Sequence, residues 1–256
     1  MIPLWPVPVD GEFQPHLIPF ITRRDGPPAP AIIICPGGGY VCKVDHEKGN
    51  VAECFNKLGF NCFVLEYRLP AQTPYPAPQL DALRAVKLLR ARAGEFNIDP
   101  NAITLMGFSA GGHLAATVSH LWETLDASAG DAADAFSARP DATVPAYAVT
   151  SGITDAHPES MRNLFGHEPN RAELESVSAE LHMNARTPPS FIWHTADDAI
   201  VPVSHSVNYA AALSRAGVPF ALHVFPFGAH GKTIATDDPA VGKWTELCAA
   251  FLRQVL

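Results

Sequence analysis

Residues 103–115 read ITLMGFSAGGHLA, a short apolar run that enters a glycine-rich turn and continues into small apolar residues. The run Ile103–Met106 predicts a buried strand, and Gly111–Leu121 predicts a helix packed against the sheet. Between them, Gly107-Phe108-Ser109-Ala110-Gly111 fits Gly-x-Ser-x-Gly, a tight strand-to-helix turn that exposes a serine at the carboxyl edge of a sheet. Glycines relieve crowding in such a turn, and the following helix N-terminus favours negative charge. We therefore expect Ser109 to be a nucleophile.

The alternation of strand and helix continues on both sides of this turn. Strands are predicted at Ala31–Cys35, Asn61–Glu66, Ala146–Thr150, Phe191–His194 and Ala221–Phe225, and helices at Gly49–Leu58, Pro78–Ala93, Ser204–Ala216 and Ala240–Leu256. This order implies an α/β fold with a mostly parallel sheet and helices on both faces. A length of 256 residues predicts one domain, 1–256. The segment Glu123–Asp141 has no periodicity, and we expect a surface excursion near the mouth of the site.

Composition narrows the choice of partner and compartment. The formal charge is −8, with 26 acidic residues against 18 basic ones and no basic run, so we expect no nucleic-acid partner. The five cysteines form no CxxC pair, which predicts buried, reduced thiols in a cytoplasmic protein. The N-terminus lacks a signal-peptide pattern and no apolar run is long enough to span a bilayer, so no membrane association is expected. Secretion stays possible if a signal peptide has been lost from the sequence.

A second glycine-rich stretch, Cys35-Pro36-Gly37-Gly38-Gly39-Tyr40, follows the strand at 31–35. Glycines there allow backbone amides to approach a tetrahedral intermediate, so Gly38 and Gly39 are predicted oxyanion donors together with Ala110. Each such donor contributes roughly 3 kcal/mol to transition-state stabilisation. A dinucleotide-binding loop needs a third glycine where Cys42 stands, so that fingerprint fails. A glycine-rich turn that binds nothing stays open as an alternative.

The acid and the base are expected beyond the serine, because this fold places its triad in the order serine, acid, histidine. Asp197 and Asp198 follow the strand that ends at His194, and we choose Asp198 with Asp197 as its competitor. His230 lies on a glycine-flanked turn after the next strand and is the predicted base. The remaining histidines examined have no partner motif or lie within a predicted strand or helix: His113, His120, His157, His167, His182, His194 and His205. Neither His-Glu-x-x-His nor a Cys and His cluster occurs, so we expect no metal and no cofactor.

Taken together, the chain resembles small bacterial α/β-hydrolases of the acetylesterase, acetylxylan-esterase-like and feruloyl-esterase-like type, related to the hormone-sensitive-lipase branch. The resemblance rests on five blocks: Pro36–Tyr40, Glu66–Leu69, Gly107–Ala115, His194–Val203 and Phe225–Gly231. In that family the aspartate three residues before a Val-Pro pair is the triad acid, which favours Asp198. Pro36 departs from the family's His-Gly-Gly-Gly pattern, so the amide of Tyr40 remains an alternative to that of Gly38.

The resemblance implies a serine carboxylesterase that forms an acyl-enzyme on Ser109. Little chain is left for a large lid, so we expect an open site that accepts a bulky alcohol with a short acyl group, as in sugar O-acetyl esters. The expected partner is a small-molecule or oligosaccharide ester. Two alternatives stay open, a prolyl-oligopeptidase-like peptidase and a non-catalytic binding protein on the same scaffold. Acyl length, alcohol and oligomeric state are not predicted.

Overall fold

Eight strands form one mixed sheet in this computed structural model, which describes residues 1–22 and 25–256. In chain order they are β1 (Ile2–Pro3), β2 (His16–Phe20), β3 (Ala29–Cys35), β4 (Asn61–Glu66), β5 (Ile98–Phe108), β6 (Ala142–Ala146), β7 (Ser190–Thr195) and β8 (Phe220–Phe225). The spatial order is β1-β2-β4-β3-β5-β6-β7-β8. Strands β3 to β8 pair in parallel, and β1 and β2 add antiparallel ladders at one edge. The loops that follow the parallel strands therefore meet at a single edge of the sheet.

Helices cover both faces of this sheet, which confirms the predicted α/β class. They are α1 (Gly49–Lys57), α2 (Ala77–Ala91), α3 (Ala93–Phe96), α4 (Ala110–Leu121), α5 (Pro158–Phe165), α6 (Arg171–Ser176), α7 (Ser204–Ala216) and α8 (Trp244–Val255). Helices α2 and α4 share one buried apolar cluster with the sheet, and α1 and α8 share another. Helix α7 packs against β7 and α4. Strands β3 and β4 are buried almost throughout, because a parallel sheet has no solvent face.

The prediction of a strand at Ala146–Thr150 is wrong. The strand is β6, Ala142–Ala146, and the chain leaves the sheet at Tyr147, whose φ of 35° is not a strand conformation. The residues from Ala148 to Ser151 are buried all the same. A short buried loop and a short buried strand give the same apolar pattern, so periodicity did not separate them. The antiparallel strands β1 and β2 were not predicted, since each is short and contains a proline.

The excursion at Glu123–Asp141 is a surface segment, but its expected place near the site is wrong. Arg84 of α2 is fully buried and forms ion pairs with Asp131 and Asp134, which hold the segment against α2. None of its residues lines the cavity next to Ser109. These ion pairs join residues 47 and 50 positions apart, which no local pattern in the sequence predicts.

The expectation that the thiols are buried is wrong for two of the five cysteines. Cys35, Cys62 and Cys248 are buried and free, whereas Cys42 is exposed and Cys54 is partly exposed. Across residues 1–22 and 25–256, no helix is long and apolar enough to cross a membrane.

Candidate active site

Ser109 lies in the turn between β5 and α4, in a strained backbone conformation. Its φ is 51° and its ψ is −115°, and its amide donates to the carbonyl of Ala146 at 3.0 Å. The flanking glycines are required by close backbone contacts. A Cβ at Gly107 would lie 1.9 Å from the Gly111 carbonyl oxygen, and one at Gly111 would lie 2.1 Å from the Cys35 carbonyl oxygen. The turn therefore has the tight geometry that the motif predicts.

His230 and Asp198 complete a chain of hydrogen bonds to this serine. His230 Nε2 lies 2.9 Å from Ser109 Oγ, and His230 Nδ1 lies 2.6 Å from Asp198 Oδ2. The two partners come from the loops after β8 and β7, which reach the same edge of the sheet as the turn after β5. An ionised carboxylate at Nδ1 places the ring proton there, so Nε2 is left to accept the serine proton.

Asp198 is buried, with 7% of its surface exposed, and is surrounded by donors. Oδ1 accepts from the amides of Ile200 and Val201, both at 2.9 Å, and Oδ2 also lies 3.2 Å from His194 Nε2. Burial alone would raise the pKa of Asp198, but hydrogen bonds from His194, His230 and the Val201 amide outweigh it and hold the pKa well below its usual range. The carboxylate therefore stays charged next to the imidazole.

Asp197, the competing acid, has a different set of partners. Its carboxylate accepts from the amides of Gly228 and Ala229, at 3.2 and 2.9 Å, and its side chain is exposed. These contacts fasten the loop that carries His230 without touching the imidazole. The structure thus brings Ser109, His230 and Asp198 together and leaves Asp197 as a loop contact.

The glycine loop after β3 lies beside the turn at Ser109, with its carbonyl groups engaged elsewhere. The Gly38 carbonyl accepts from the amides of Val41 and Cys42, and the Gly39 carbonyl accepts from Asn163 Nδ2 at 2.9 Å. A Cβ at Gly38, whose φ is 126°, would lie 2.5 Å from the Cys42 carbonyl oxygen. Within the described residues, no loop contact engages the amides of Gly38 and Gly39.

The amide of Ala110 is the first of α4 and has no acceptor within the helix. Gly38, Gly39 and Ser109 line the same cavity, and Ala110 follows Ser109 directly as the first residue of α4. Such an arrangement can receive an oxygen that becomes negatively charged during a reaction.

Three residues of this site escaped sequence reasoning: Glu47, Tyr147 and Asn163. Glu47 is 2% exposed and accepts from the Gly37 amide at 2.6 Å and from the Tyr147 hydroxyl at 2.8 Å. Burial raises the pKa of Glu47, and the two donors offset part of that rise. Glu47 lies twelve residues after the end of β3, and no local sequence pattern marks it as a site residue, because its partners are decided by tertiary folding. His194, set aside as a strand residue, is also a direct neighbour of Asp198.

The cavity beside Ser109 has a volume of about 470 Å³. Its wall combines apolar side chains with polar ones, namely Val44, Val149, Ile200, Val201, His46, Glu47, His157, Ser160 and His230. His157, which has no partner motif in the sequence and was set aside as a base, caps α5, and its Nδ1 accepts from the Ser160 amide at 3.2 Å. Across the described ranges, no group of three or more His, Cys, Asp or Glu side chains is arranged to bind a metal ion.

Comparison with known proteins places this geometry in a family. The sequence model of the BD-FAE family matches residues 20–213, which is more than half of the chain. The chain belongs to the BD-FAE family. Solved structures with α/β-hydrolase folds share its architecture, which confirms the resemblance and the fold inferred from the sequence. This BD-FAE protein therefore carries its serine, histidine and aspartate on the framework that the motif predicts.

Individual relatives of this BD-FAE protein carry the names of esterases and other hydrolases. A crystal structure of an acetyl ester-xyloside bifunctional hydrolase from Caldicellulosiruptor lactoaceticus is 41% identical, with a TM-score of 0.94, and the match covers 100% of this chain and 96% of the other. An acetylxylan esterase of Xylanibacter ruminicola is 31% identical over 89% of this chain and 45% of its own length. A Butyrivibrio fibrisolvens protein named endo-1,4-beta-xylanase B is 36% identical over 88% of this chain. The chain thus spans less than half of the length of either curated relative, 45% of the Xylanibacter protein and 36% of the Butyrivibrio protein.

Proposed function

We propose that this BD-FAE protein is a serine carboxylic ester hydrolase that removes short acyl groups, acetyl above all, from carbohydrate esters. The observation that carries the proposal is the chain of hydrogen bonds from Ser109 Oγ through His230 to Asp198, with lengths of 2.9 and 2.6 Å. A serine hydroxyl becomes an effective nucleophile when a base at this distance takes its proton. The acid and base follow the serine in the order typical of the fold.

The reaction takes place in two halves. Ser109 Oγ attacks the ester carbonyl carbon while His230 Nε2 takes the hydroxyl proton, and the resulting imidazolium is stabilised by Asp198. The bond to the alcohol then breaks, and the departing oxygen receives that proton from His230. Water attacks the acyl-enzyme with His230 again as the base, the acyl–Oγ bond breaks, and Ser109 regains its proton.

The amides of Gly38, Gly39 and Ala110 are the proposed donors to the tetrahedral oxyanion. Each loop carbonyl at Gly38 and Gly39 is already hydrogen-bonded, whereas the amides are not engaged by other described residues. Donors that are fixed before the reaction need no reorganisation when the charge develops. The amide of Tyr40 is the alternative to that of Gly38, since its residue continues the same turn at a φ of 62°.

The cavity supports a small acyl group and a hydroxylated alcohol. Val44, Val149 and Val201 supply apolar surface near Ser109, and a volume of about 470 Å³ holds a short acyl chain together with part of a sugar. His157 and Ser160 add hydrogen-bonding groups to the same wall, which suits the hydroxyls of a carbohydrate. The names of the relatives, acetylxylan esterase and acetyl ester-xyloside hydrolase, support the same class of substrate.

Ser109→Ala tests the reaction. We expect ester hydrolysis to fall roughly 10⁶-fold, as it does when a triad enzyme loses its nucleophile, and labelling by a fluorophosphonate probe to disappear. The matched control is Ser214→Ala, an exposed serine on α7, which should hydrolyse and label like the wild type. Undiminished turnover by Ser109→Ala would exclude the proposed nucleophile.

Substrate class is tested with p-nitrophenyl esters from acetyl to octanoyl, and with acetylated xylo-oligosaccharides followed by acetate release. We expect kcat/KM to be highest for acetyl and to fall with chain length, because His46, His157 and Ser160 share the cavity wall with the valines and leave little continuous apolar surface for a long acyl chain. Rates that rise towards octanoyl would contradict the short-acyl assignment. Hydrolysis of p-nitrophenyl acetate without release from the oligosaccharide would contradict the carbohydrate assignment and leave the esterase chemistry intact.

A further inference from the structure

Glu47 is a buried acidic residue that the reaction described above does not use. Its carboxylate lies next to the serine turn, since a Cβ at Gly37 would be 3.0 Å from Glu47 Oε2 and 3.1 Å from Ser109 Cβ. Oε2 accepts from the Gly37 amide at 2.6 Å. Among the described residues, this is the one hydrogen bond that the amides of Gly37, Gly38 and Gly39 donate. The amides after Gly37 are those proposed to bind the oxyanion. Glu47 therefore fixes the start of that loop.

The second oxygen of Glu47 holds Tyr147, a hundred residues further along the chain. The Tyr147 hydroxyl donates to Oε1 at 2.8 Å, and its ring meets the His230 ring nearly edge to face, with centroids 5.0 Å apart. Tyr147 is 1% exposed and has a positive φ of 35°, a costly conformation for a non-glycine residue. This strained turn directs the side chain towards Glu47 and His230 instead of continuing β6.

We propose that Glu47 is a positioning residue that couples the oxyanion loop to the general base, with one carboxylate oxygen on Gly37 and the other on the tyrosine that supports His230. The proposal rests on the proposed esterase function. It assigns to a residue outside the triad the relative placement of two groups that act on the same tetrahedral intermediate. A displacement of about 1 Å between such groups costs on the order of 100-fold in rate.

Both oxygens of Glu47 face a donor, and this makes Glu47→Gln informative. A glutamine has one acceptor oxygen and one NH2 group, so it cannot accept from both donors. With its oxygen on the Gly37 amide, its NH2 faces the Tyr147 hydroxyl, which must turn to accept a hydrogen bond instead of donating one. We expect kcat to fall roughly 10- to 100-fold on p-nitrophenyl acetate, with KM within about twofold of wild type. Inhibition by phenylboronic acid, which forms a tetrahedral adduct on the serine, should weaken by a similar factor. If Glu47 acted only in substrate binding, the substitution would raise KM and leave kcat unchanged.

The decisive comparison is a double-mutant cycle of Glu47→Gln and Tyr147→Phe. If the two residues act as one unit, a second substitution adds little once the link between them is broken. We therefore expect the double variant to have a kcat close to that of Glu47→Gln alone. A carboxylate needed only for its charge, or only for global stability, predicts that the two losses multiply.

Tyr147→Phe by itself keeps the proposal testable if Glu47→Gln does not fold. It leaves Glu47 on Gly37 and removes the hydroxyl that ties the ring beside His230 to Glu47, together with that hydroxyl's interaction with Thr233. We expect kcat to fall about 3- to 10-fold while phenylboronic acid affinity stays near wild type. The matched control is Glu66→Gln. Glu66 pairs with Lys43 and Lys48 and so fastens the same stretch of chain away from Gly37. We expect it to lower the unfolding temperature and to retain kcat.

Three results would overturn the proposal: a Glu47→Gln enzyme with wild-type kcat, a double variant whose loss equals the product of the two single losses, or a Tyr147→Phe enzyme with wild-type kcat. Each is distinguishable from failure of the esterase assignment. In that case the wild-type protein would show no serine-dependent hydrolysis, and Ser109→Ala would match it.

Discussion

Asp197 and Asp198 are chemically identical neighbours with different environments. Asp198 is buried among donors and contacts His230 Nδ1, whereas Asp197 is exposed and binds two loop amides. The turn after β7 points the Asp198 carboxylate towards the imidazole and the Asp197 carboxylate towards the loop amides at the surface. At the scale of a residue, the direction of the side chain decides which acid can hold the base in its reactive tautomer.

Asp198→Asn should leave the fold intact and lower kcat about 10⁴-fold, because an amide at this position favours the wrong imidazole tautomer. Steady-state kinetics on p-nitrophenyl acetate measure the loss. Asp197→Asn is the matched control. Its amide oxygen still accepts from Gly228 or Ala229, so we expect kcat within about tenfold of wild type. Equal losses in the two variants would show that the acid had been assigned to the wrong residue.

The turn between β5 and α4 depends on contacts that leave no room for a side chain. Gly111 approaches the carbonyls of Cys35 and Pro36, and Gly112 approaches the side chain of Ala148. The first residues of α4 therefore lie directly against the end of β3. At the scale of the element, this close approach brings the glycine loop, the serine and the N-terminus of α4 into one site.

Gly111→Ala should destabilise the protein by about 3 kcal/mol or more, because the new Cβ would lie 2.1 Å from a backbone oxygen that cannot rotate away. Urea unfolding followed by circular dichroism measures the change. Gly94→Ala in α3 is the control, since nothing lies within 4 Å of its added Cβ. We expect that variant to be as stable as wild type or slightly more stable. An unchanged unfolding midpoint for Gly111→Ala would contradict the packing described for the turn.

The molecule as a whole buries a neutral histidine in its core. His113 is fully buried, accepts from the Tyr40 hydroxyl at its Nδ1, 2.7 Å away, and donates from Nε2 to the Val177 carbonyl at 3.1 Å. Burial lowers the pKa of His113 to about 4. This side chain joins the glycine loop, α4 and the segment after α6, so its protonation would disturb contacts among all three.

Acidification should therefore destabilise the protein. The folded-state pKa is below the unfolded value of about 6.5, so between those values the unfolded chain binds a proton that the folded one does not. Stability is full above about pH 6.5 and declines as the pH falls towards 4, by at most roughly 1.4 kcal/mol per pH unit from this group.

His113→Gln keeps an acceptor for Tyr40 and a donor for Val177 but does not titrate. Urea unfolding at several pH values should give a shallower decline for this variant than for wild type. If the free energy of unfolding fell equally steeply with pH in both proteins, His113 would not contribute to the loss of stability in acid.

The parts of the site predicted from sequence are those with local signals. The serine turn, the glycine loop and the order serine, acid, histidine each depend on residue types at short spacing. The structure brings those predicted residues to one edge of the sheet, while their catalytic roles stay predictions until the variants are measured. The single domain and the cytoplasmic location also stay predictions.

The sequence by itself determined the α/β class, the helix at Ser204–Ala216 and the position of the serine turn, because periodicity and glycine spacing act over a few residues. Tertiary structure alone decided that Glu47 meets Tyr147, that Asn163 binds Gly39, and that β6 ends at Ala146. Those contacts join residues roughly a hundred positions apart, or end a strand where buried loop and strand look alike. Local pattern cannot encode such contacts, because they depend on which elements the completed sheet places side by side.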